Sequence, residues 1–260
     1  MTVYIVSDLH GASDKLKKAV PEGGVLILLG DLINFLDYQS LSGILSEVFS
    51  PESVAEVVRL RTQGHPLAAR KVMRARSAGR EEEVSTEIGR RVGAQYEEVF
   101  AALPDPTYLI LGNVDSPELA HELARVTPAV TDADSRTFVL DGERFGFAGG
   151  ALPSPLNVPG EITVAEMRSK LERLGQVDVL CSHIPPALPE LCFDTRAGRG
   201  ERGSKDLLEY IRDVQPRRAY FGHVHQPLVS SLSVGRTLCV NVGHFRSTGR
   251  AWPHRSGEAG

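Results

Sequence analysis

The chain has 260 residues, 42% of them hydrophobic, which is enough for one well-buried core plus a sizeable excursion, so a single domain with an insert is expected. A formal net charge of -4 gives no global field for a polyanion, and a nucleic-acid partner is therefore not favoured. Cys181, Cys192 and Cys239 are odd in number, form no close pair and read as small buried apolar residues; with no cleavable leader and no apolar run of membrane length, a cytoplasmic protein without a membrane span is expected.

In chain order, Val3-Tyr4-Ile5-Val6 reads as a short buried strand that ends in Ser7-Asp8-Leu9-His10-Gly11, where two ligand-type side chains stand at i and i+2. A short helix, capped by Ser13 and ended by Pro21, leads to a second strand, Val25 to Leu29, which runs into Gly30-Asp31. From about Tyr38 to Leu103 the period-two pattern is absent and helical periodicities replace it, with Ser50-Pro51, Gly64-His65-Pro66 and Gly79 as breaks. A helical insert of three or four helices is predicted at about 38–103. Its arginines are nearly balanced by glutamates, which favours a solvated, salt-bridged face over a substrate patch.

The core resumes with the strand Tyr108 to Leu111, which ends in Gly112-Asn113-Val114-Asp115, and Ser116-Pro117 then opens a helix. The runs on either side of Asp141-Gly142 form a hairpin that begins a second sheet. A Gly/Pro-rich loop and a helix lead to the strand Val177 to Cys181, which ends in Ser182-His183. Beyond it, Arg196, Arg199 and Arg202 lie among glycines. They either clamp a phosphate or belong to a solvated loop. The strand Ala219-Tyr220-Phe221 stops at Gly222-His223-Val224-His225, again with two ligand-type residues at i and i+2. One more strand, ending near Val240, closes the domain at about residue 245, and 246–260 read as a flexible C-terminal tail.

Five strands thus end in oxygen or nitrogen ligands, and in open α/β sheets such ends converge on one site. The ordered series Asp8-x-His10, Gly30-Asp31, Gly112-Asn113, His183 and Gly222-His223-x-His225 resembles the calcineurin-like metallophosphoesterase superfamily over nearly the whole chain. The resemblance implies an α/β fold, a double β-sheet sandwich flanked by helices, with the helical insert following the second motif. It also implies hydrolysis of phosphoesters by a hydroxide that bridges two divalent metals. Carried over by position, Asp8, His10 and His225 resemble the ligands of one metal, Asn113, His183 and His223 those of the other, and Asp31 the bridge. A mixture of imidazole, carboxylate and amide suits Mn, Fe, Zn or Co and not a calcium site.

Val114 departs from the pattern. Many members carry a histidine after the asparagine that protonates the leaving group; valine has no proton to give, and Asp115, which would orient that histidine, has nothing to orient. Branches lacking it are associated with phosphodiesterase activity, so a phosphodiesterase is favoured over a phosphomonoesterase, with no catalytic side chain beyond the metal-bound hydroxide. The rival reading is a non-catalytic protein-interaction module on the same fold, for which the insert would be a docking or oligomer surface. His65, His244 or a metal-bound water are the candidate replacement donors.

Overall fold

In the computed structural model, which describes residues 2–257, the strands stack as two sheets face to face. The first sheet has the order β13-β1-β2-β3-β4, from β1 (Val3–Val6), β2 (Val25–Leu28), β3 (Thr107–Leu109), β4 (Val130–Asp132) and β13 (Trp252–His254). The second has the order β11-β12-β10-β7-β6-β5, from β5 (Thr137–Leu140), β6 (Glu143–Ala148), β7 (Val179–Ser182), β10 (Arg218–Phe221), β11 (Ser231–Val234) and β12 (Thr237–Asn241). A separate two-stranded hairpin joins β8 (Phe193–Asp194) to β9 (Arg199–Gly200). The inner strands of both sheets are parallel, so their carboxyl ends lie together.

The period of two decides which side chain fills which layer. Val3, Ile5, Val25 and Ile27 join Phe145, Phe147, Val179 and Tyr220 between the sheets. Their neighbours Val6, Leu26 and Leu28 face the opposite way, onto Tyr96, Val99, Phe100 and Ala120 of the covering helices. On the outer face of the second sheet, Met167, Leu171, Leu207 and Ile211 come from helices Val164–Leu174 and Lys205–Val214. The first of these opens with a reciprocal Thr163/Glu166 capping box, and in the second Ser204 Oγ accepts from the Leu207 N–H. Two expected caps are not made. Ala12 takes the position expected of Ser13, and the Ser116 side chain caps nothing, while its N–H donates to the Tyr96 hydroxyl at 2.6 Å.

Between β2 and β3 the chain forms helices Ile44–Val48, Pro51–Thr62, Pro66–Ser77 and Glu81–Ala102. They differ in how firmly they are held. Helix 81–102 buries Val84, Tyr96, Val99 and Phe100, the last three inside the cluster that covers the first sheet. At about 1.5–3 kcal/mol for each large apolar side chain, it is an integral wall of the domain. Helix 66–77 buries only Ala69. Arg80 pairs with Glu83, and Arg90 and Arg91 with Glu87, on exposed or half-exposed surface where such pairs contribute about 0–1 kcal/mol. Among the described residues, no helix is long and apolar enough to cross a membrane.

The predicted flexible tail is overturned for residues 246–257; residues 258–260 lie outside the described part. β13 pairs antiparallel with β1 in the register Val3↔His254, occupying the edge that β1 would otherwise expose. Pro253 is tolerated because the strand is terminal in its sheet. His254 is buried, with Nδ1 3.0 Å from the Tyr220 hydroxyl and Nε2 2.5 Å from Glu143 Oε2. Replacing it with alanine removes a buried partner from each, at about 1–3 kcal/mol in all, while Glu143 keeps its ion pair with Arg217. His254→Ala is expected to lower the melting temperature by about 5–10 °C, read by calorimetry; an unchanged value would show that the segment is only loosely attached.

Candidate metal centre

Each predicted ligand sits in the turn that follows a strand, and several of those turns are strained. Asp8, His10, Asp31 and His223 have φ values of 57, 43, 55 and 66°, in the left-handed region that side chains other than glycine rarely adopt. Glycines let the turns approach one another. A Cβ on Gly222 would lie 1.9 Å from Ser7 Oγ and 2.3 Å from Asp8 Oδ2, and one on Gly112 would lie 2.2 Å from Asp31 Oδ1. The sequence puts glycine where two ligand-bearing backbones meet.

The structure brings all seven predicted ligands together. On one side His10 Nε2 is 3.3 Å from His225 Nε2, 3.7 Å from Asp31 Oδ2 and 3.9 Å from Asp8 Oδ1, while His225 Nε2 is 3.4 Å from Asp8 Oδ1. On the other, Asn113 Oδ1 is 3.0 Å from His183 Nε2 and 2.9 Å from His223 Nδ1, and His183 Nε2 is 3.6 Å from Asp31 Oδ1. Asp31 therefore turns one oxygen to each set. Ligand atoms about 2.1 Å from a cation stand about 3.0–3.4 Å from each other, close to these separations.

The donor chemistry fits a cation on each side. His10 Nδ1 donates to the Ile33 carbonyl at 3.1 Å and His183 Nδ1 to the Leu29 carbonyl at 2.8 Å, so each ring, when neutral, presents a bare Nε2 lone pair to the site. A bare His183 nitrogen 3.0 Å from the Asn113 carbonyl oxygen is a repulsive contact unless a positive charge stands between them. Asp8 Oδ2 accepts from the His223 N–H at 3.0 Å, but Asp8 Oδ1 is buried with no hydrogen-bond partner among the described residues. An orphaned carboxylate oxygen facing two imidazole nitrogens is what a metal ligand looks like before the metal is added.

The charges are arranged to match. Burial alone would raise the Asp8 carboxyl, yet the imidazoles of His225, His183 and His10 outweigh it and hold the group well below the usual carboxylate range. Burial lowers His10, and lowers His223 to about 4, favouring the neutral rings that bind metals. For His225 burial again lowers, but the adjacent Asp8 carboxylate prevails and raises it.

Three supports were not read from the sequence in these roles. Asp115 is fully buried, and its carboxylate accepts from the N–H groups of Asp31, Leu32 and Gly112, each at 2.8 Å, and from the Tyr96 hydroxyl at 3.3 Å. Far from lacking a group to orient, it ties the Asp31 turn to the Asn113 turn. Burial and the nearby Asp31 charge push it up to about 6. Asn241 Nδ2 donates to the carbonyls of Gly222 and Val224, fixing the His223–His225 turn. Arg246, placed by the sequence reading in the tail, donates to the His10 carbonyl at 2.6 Å.

The arginines are not assembled as a clamp. Arg199 Nε bonds Glu201 at 3.0 Å, Arg202 Nη1 bonds the Pro153 carbonyl at 2.6 Å, and Arg196 lies exposed between β8 and β9. His65 is exposed at the start of helix 66–77, outside the ligand cluster. His244 does join the cluster: its ring stacks on His225 at 3.9 Å and 3°, and burial beside His225 and His10 pushes it down to about 3.

A family model for calcineurin-like phosphoesterases matches residues 1–227. The chain belongs to that family. Its members are metal-dependent phosphoester hydrolases, and the two-sheet architecture with flanking helices is theirs. Among solved structures, one crystal structure aligns over 98% of each chain at 17% identity with a TM-score of 0.61. TT1561 of Thermus thermophilus aligns over 98% of each chain at 14% identity with a TM-score of 0.52. Both likenesses are of fold. The purple acid phosphatase PPD1 from yellow lupin (Lupinus luteus) seeds aligns with 94% of this chain and 44% of its own at 13% identity and a TM-score of 0.41, which adds nothing to the fold assignment. No curated protein matches the sequence.

The shifts fix a pH dependence for the metal-free protein. His223 and His244 are lowered by burial to about 4 and about 3, so between the free-histidine value of 6.5 and about 4 the unfolded chain protonates both more readily than the folded one, and His10, also lowered by burial, acts in the same direction. Asp115, raised on folding, works the other way between about 6 and the ordinary value of 3.8; His225, also raised, affects only the range above 6.5. Three groups against one make stability fall as pH drops through that window. A melting temperature that rises from pH 6.5 to 4.5 in chelator would contradict this balance.

Proposed function

We propose that the chain is a dinuclear metal-dependent phosphodiesterase. Asp8, His10 and His225 hold one divalent cation, Asn113, His183 and His223 the other, and Asp31 is shared. The observation that carries this reading is the Asp31 carboxylate, with Oδ2 3.7 Å from the His10 nitrogen and Oδ1 3.6 Å from the His183 nitrogen. Mn, Fe, Zn or Co suits the mixed donor set. When bound, two such cations supply Lewis acidity toward the phosphoryl oxygens and a water acidic enough to attack at neutral pH.

What the chain itself does is hold and exclude. The imidazoles are fixed by carbonyl acceptors, the Asp31 and Asn113 turns are locked together by Asp115, and no side chain at position 114 donates a proton. Val114 packs against the apolar cluster of the first sheet, and its N–H donates to Asp31 Oδ1 at 3.1 Å. Lack of an acid costs about 10²–10⁴ in rate for a poor leaving group. Among the described residues, Arg199 and Arg202 are engaged elsewhere, so neither supplies a guanidinium fork for the second charge of a monoester. A singly charged diester is the better match.

The test is turnover of a paired aryl phosphodiester and aryl phosphomonoester by protein loaded with Mn²⁺. A diester kcat/KM about tenfold or more above that of the monoester is expected. A reversed preference would make the chain a phosphomonoesterase. Loaded protein that turns over neither would replace hydrolysis with a binding role for this fold.

A further inference from the structure

His244 has a place in the fold that its sequence context does not announce. β10 and β12 are parallel neighbours in the register Phe221↔Asn241, so the turn after β12 lies beside the turn that carries His223 and His225. The His244 ring lies parallel to that of His225 and edge-on to that of His10, with centroids 5.4 Å apart. A ring nitrogen of His244 lies within 4.8 Å of nitrogens of both. The residue is only 9% exposed. Nδ1 stands 2.6 Å from the Ser247 hydroxyl, and Nε2 is buried with no hydrogen-bond partner among the described residues.

A structural histidine at this depth normally satisfies both nitrogens. Nor does the ring fit as one more metal ligand. An imidazole binds a cation through a lone pair in its own plane, and with the rings 3° from parallel a cation in the plane of His225 is offset from that of His244 by the stacking distance. A nitrogen so offset is placed for an atom lying on the cation, not for the cation. If the Ser247 hydroxyl donates to Nδ1, the hydrogen of the neutral ring resides on Nε2.

We propose that His244 is a substrate-contacting residue whose Nε2–H donates to a phosphoryl oxygen beside the Asp8/His10/His225 side of the centre. This rests on the phosphoesterase reading and goes beyond it by naming a phosphate donor outside the metal-ligand motifs. The role differs from protonating the leaving group, because the donor keeps its hydrogen and the bond lasts through binding and reaction.

Calorimetric titration of the Mn²⁺-loaded full chain with inorganic phosphate, with metal content measured on the same samples, tests it. His244→Ala should weaken phosphate about tenfold while metal content stays at the wild-type level, since one hydrogen bond to a charged oxygen is lost. His244→Gln, which keeps volume and an N–H, should recover most of that loss. Ser247→Ala, which frees the tautomer, should show a smaller one. Equal phosphate affinity in His244→Ala would overturn the assignment. Loss of manganese from both His244 variants would overturn it too, by making the residue a ligand. Wild-type protein that takes up none of Mn, Fe, Zn and Co would overturn the phosphoesterase reading and this inference with it.

Discussion

Asp31→Asn is expected to reduce metal-dependent turnover at least on the order of a thousandfold, about 4 kcal/mol of transition-state stabilisation. It should also drop metal content below the wild-type level. The amide keeps the volume but halves the oxygen count and removes the charge that two adjacent cations share. The fold should survive, and the metal-free variant should melt no lower than wild type, because the Asp31 charge is one of the influences that raise the buried Asp115. Metal content by elemental analysis, turnover and calorimetry separate these effects. Wild-type metal content together with wild-type turnover would remove Asp31 from the bridge.

Asp115→Ala should have the opposite signature, a large loss of stability together with weaker metal uptake. It leaves the N–H groups of Asp31, Leu32 and Gly112 buried without an acceptor. Removing the charged partner from such a network costs about 3–5 kcal/mol. For a chain of this size that is a fall of about 8–16 °C in melting temperature. Metal affinity should weaken about 10–100-fold, as for other residues that orient ligands without touching the metal. A variant that melts like wild type would mean that water or a shifted backbone takes over the three donors.

These two residues mark what the sequence discloses and what it hides. Asp31 was legible because its proposed role belongs to its side-chain chemistry and recurs in pattern with other strand-end ligand types, most of them announced by a glycine or an alternate-residue histidine. Asp115 was in plain view but carried the wrong role, since a carboxylate that accepts backbone N–H groups needs partners from residues far away in sequence. Asn241 and Arg246 escaped for the same reason. His244 had no neighbour in the chain to pair with; parallel pairing of β10 and β12 creates its company. The sandwich itself was legible through the resemblance that the ligand motifs carry; the structure adds that β1 and β2 are apolar throughout because each of their faces meets an apolar layer. The order at Trp252–His254 was not legible, because three residues with a proline carry no periodic signal and gain their structure from distant partners, the edge of β1 and the Tyr220 and Glu143 side chains.

That edge has a consequence for how the molecule is made. β1 carries the Asp8/His10 turn, yet one of its two neighbours, β13, is synthesised only after every other strand of both sheets. Until then, the strand beside the metal centre presents an open row of amides and carbonyls, the kind of surface that recruits other nascent chains. The β1–β13 ladder joins segments that every other strand of both sheets separates in sequence, so its closure comes late in folding. Translation that stalls before Trp252 would release a product with every proposed ligand already present and its first strand still unpaired on one side.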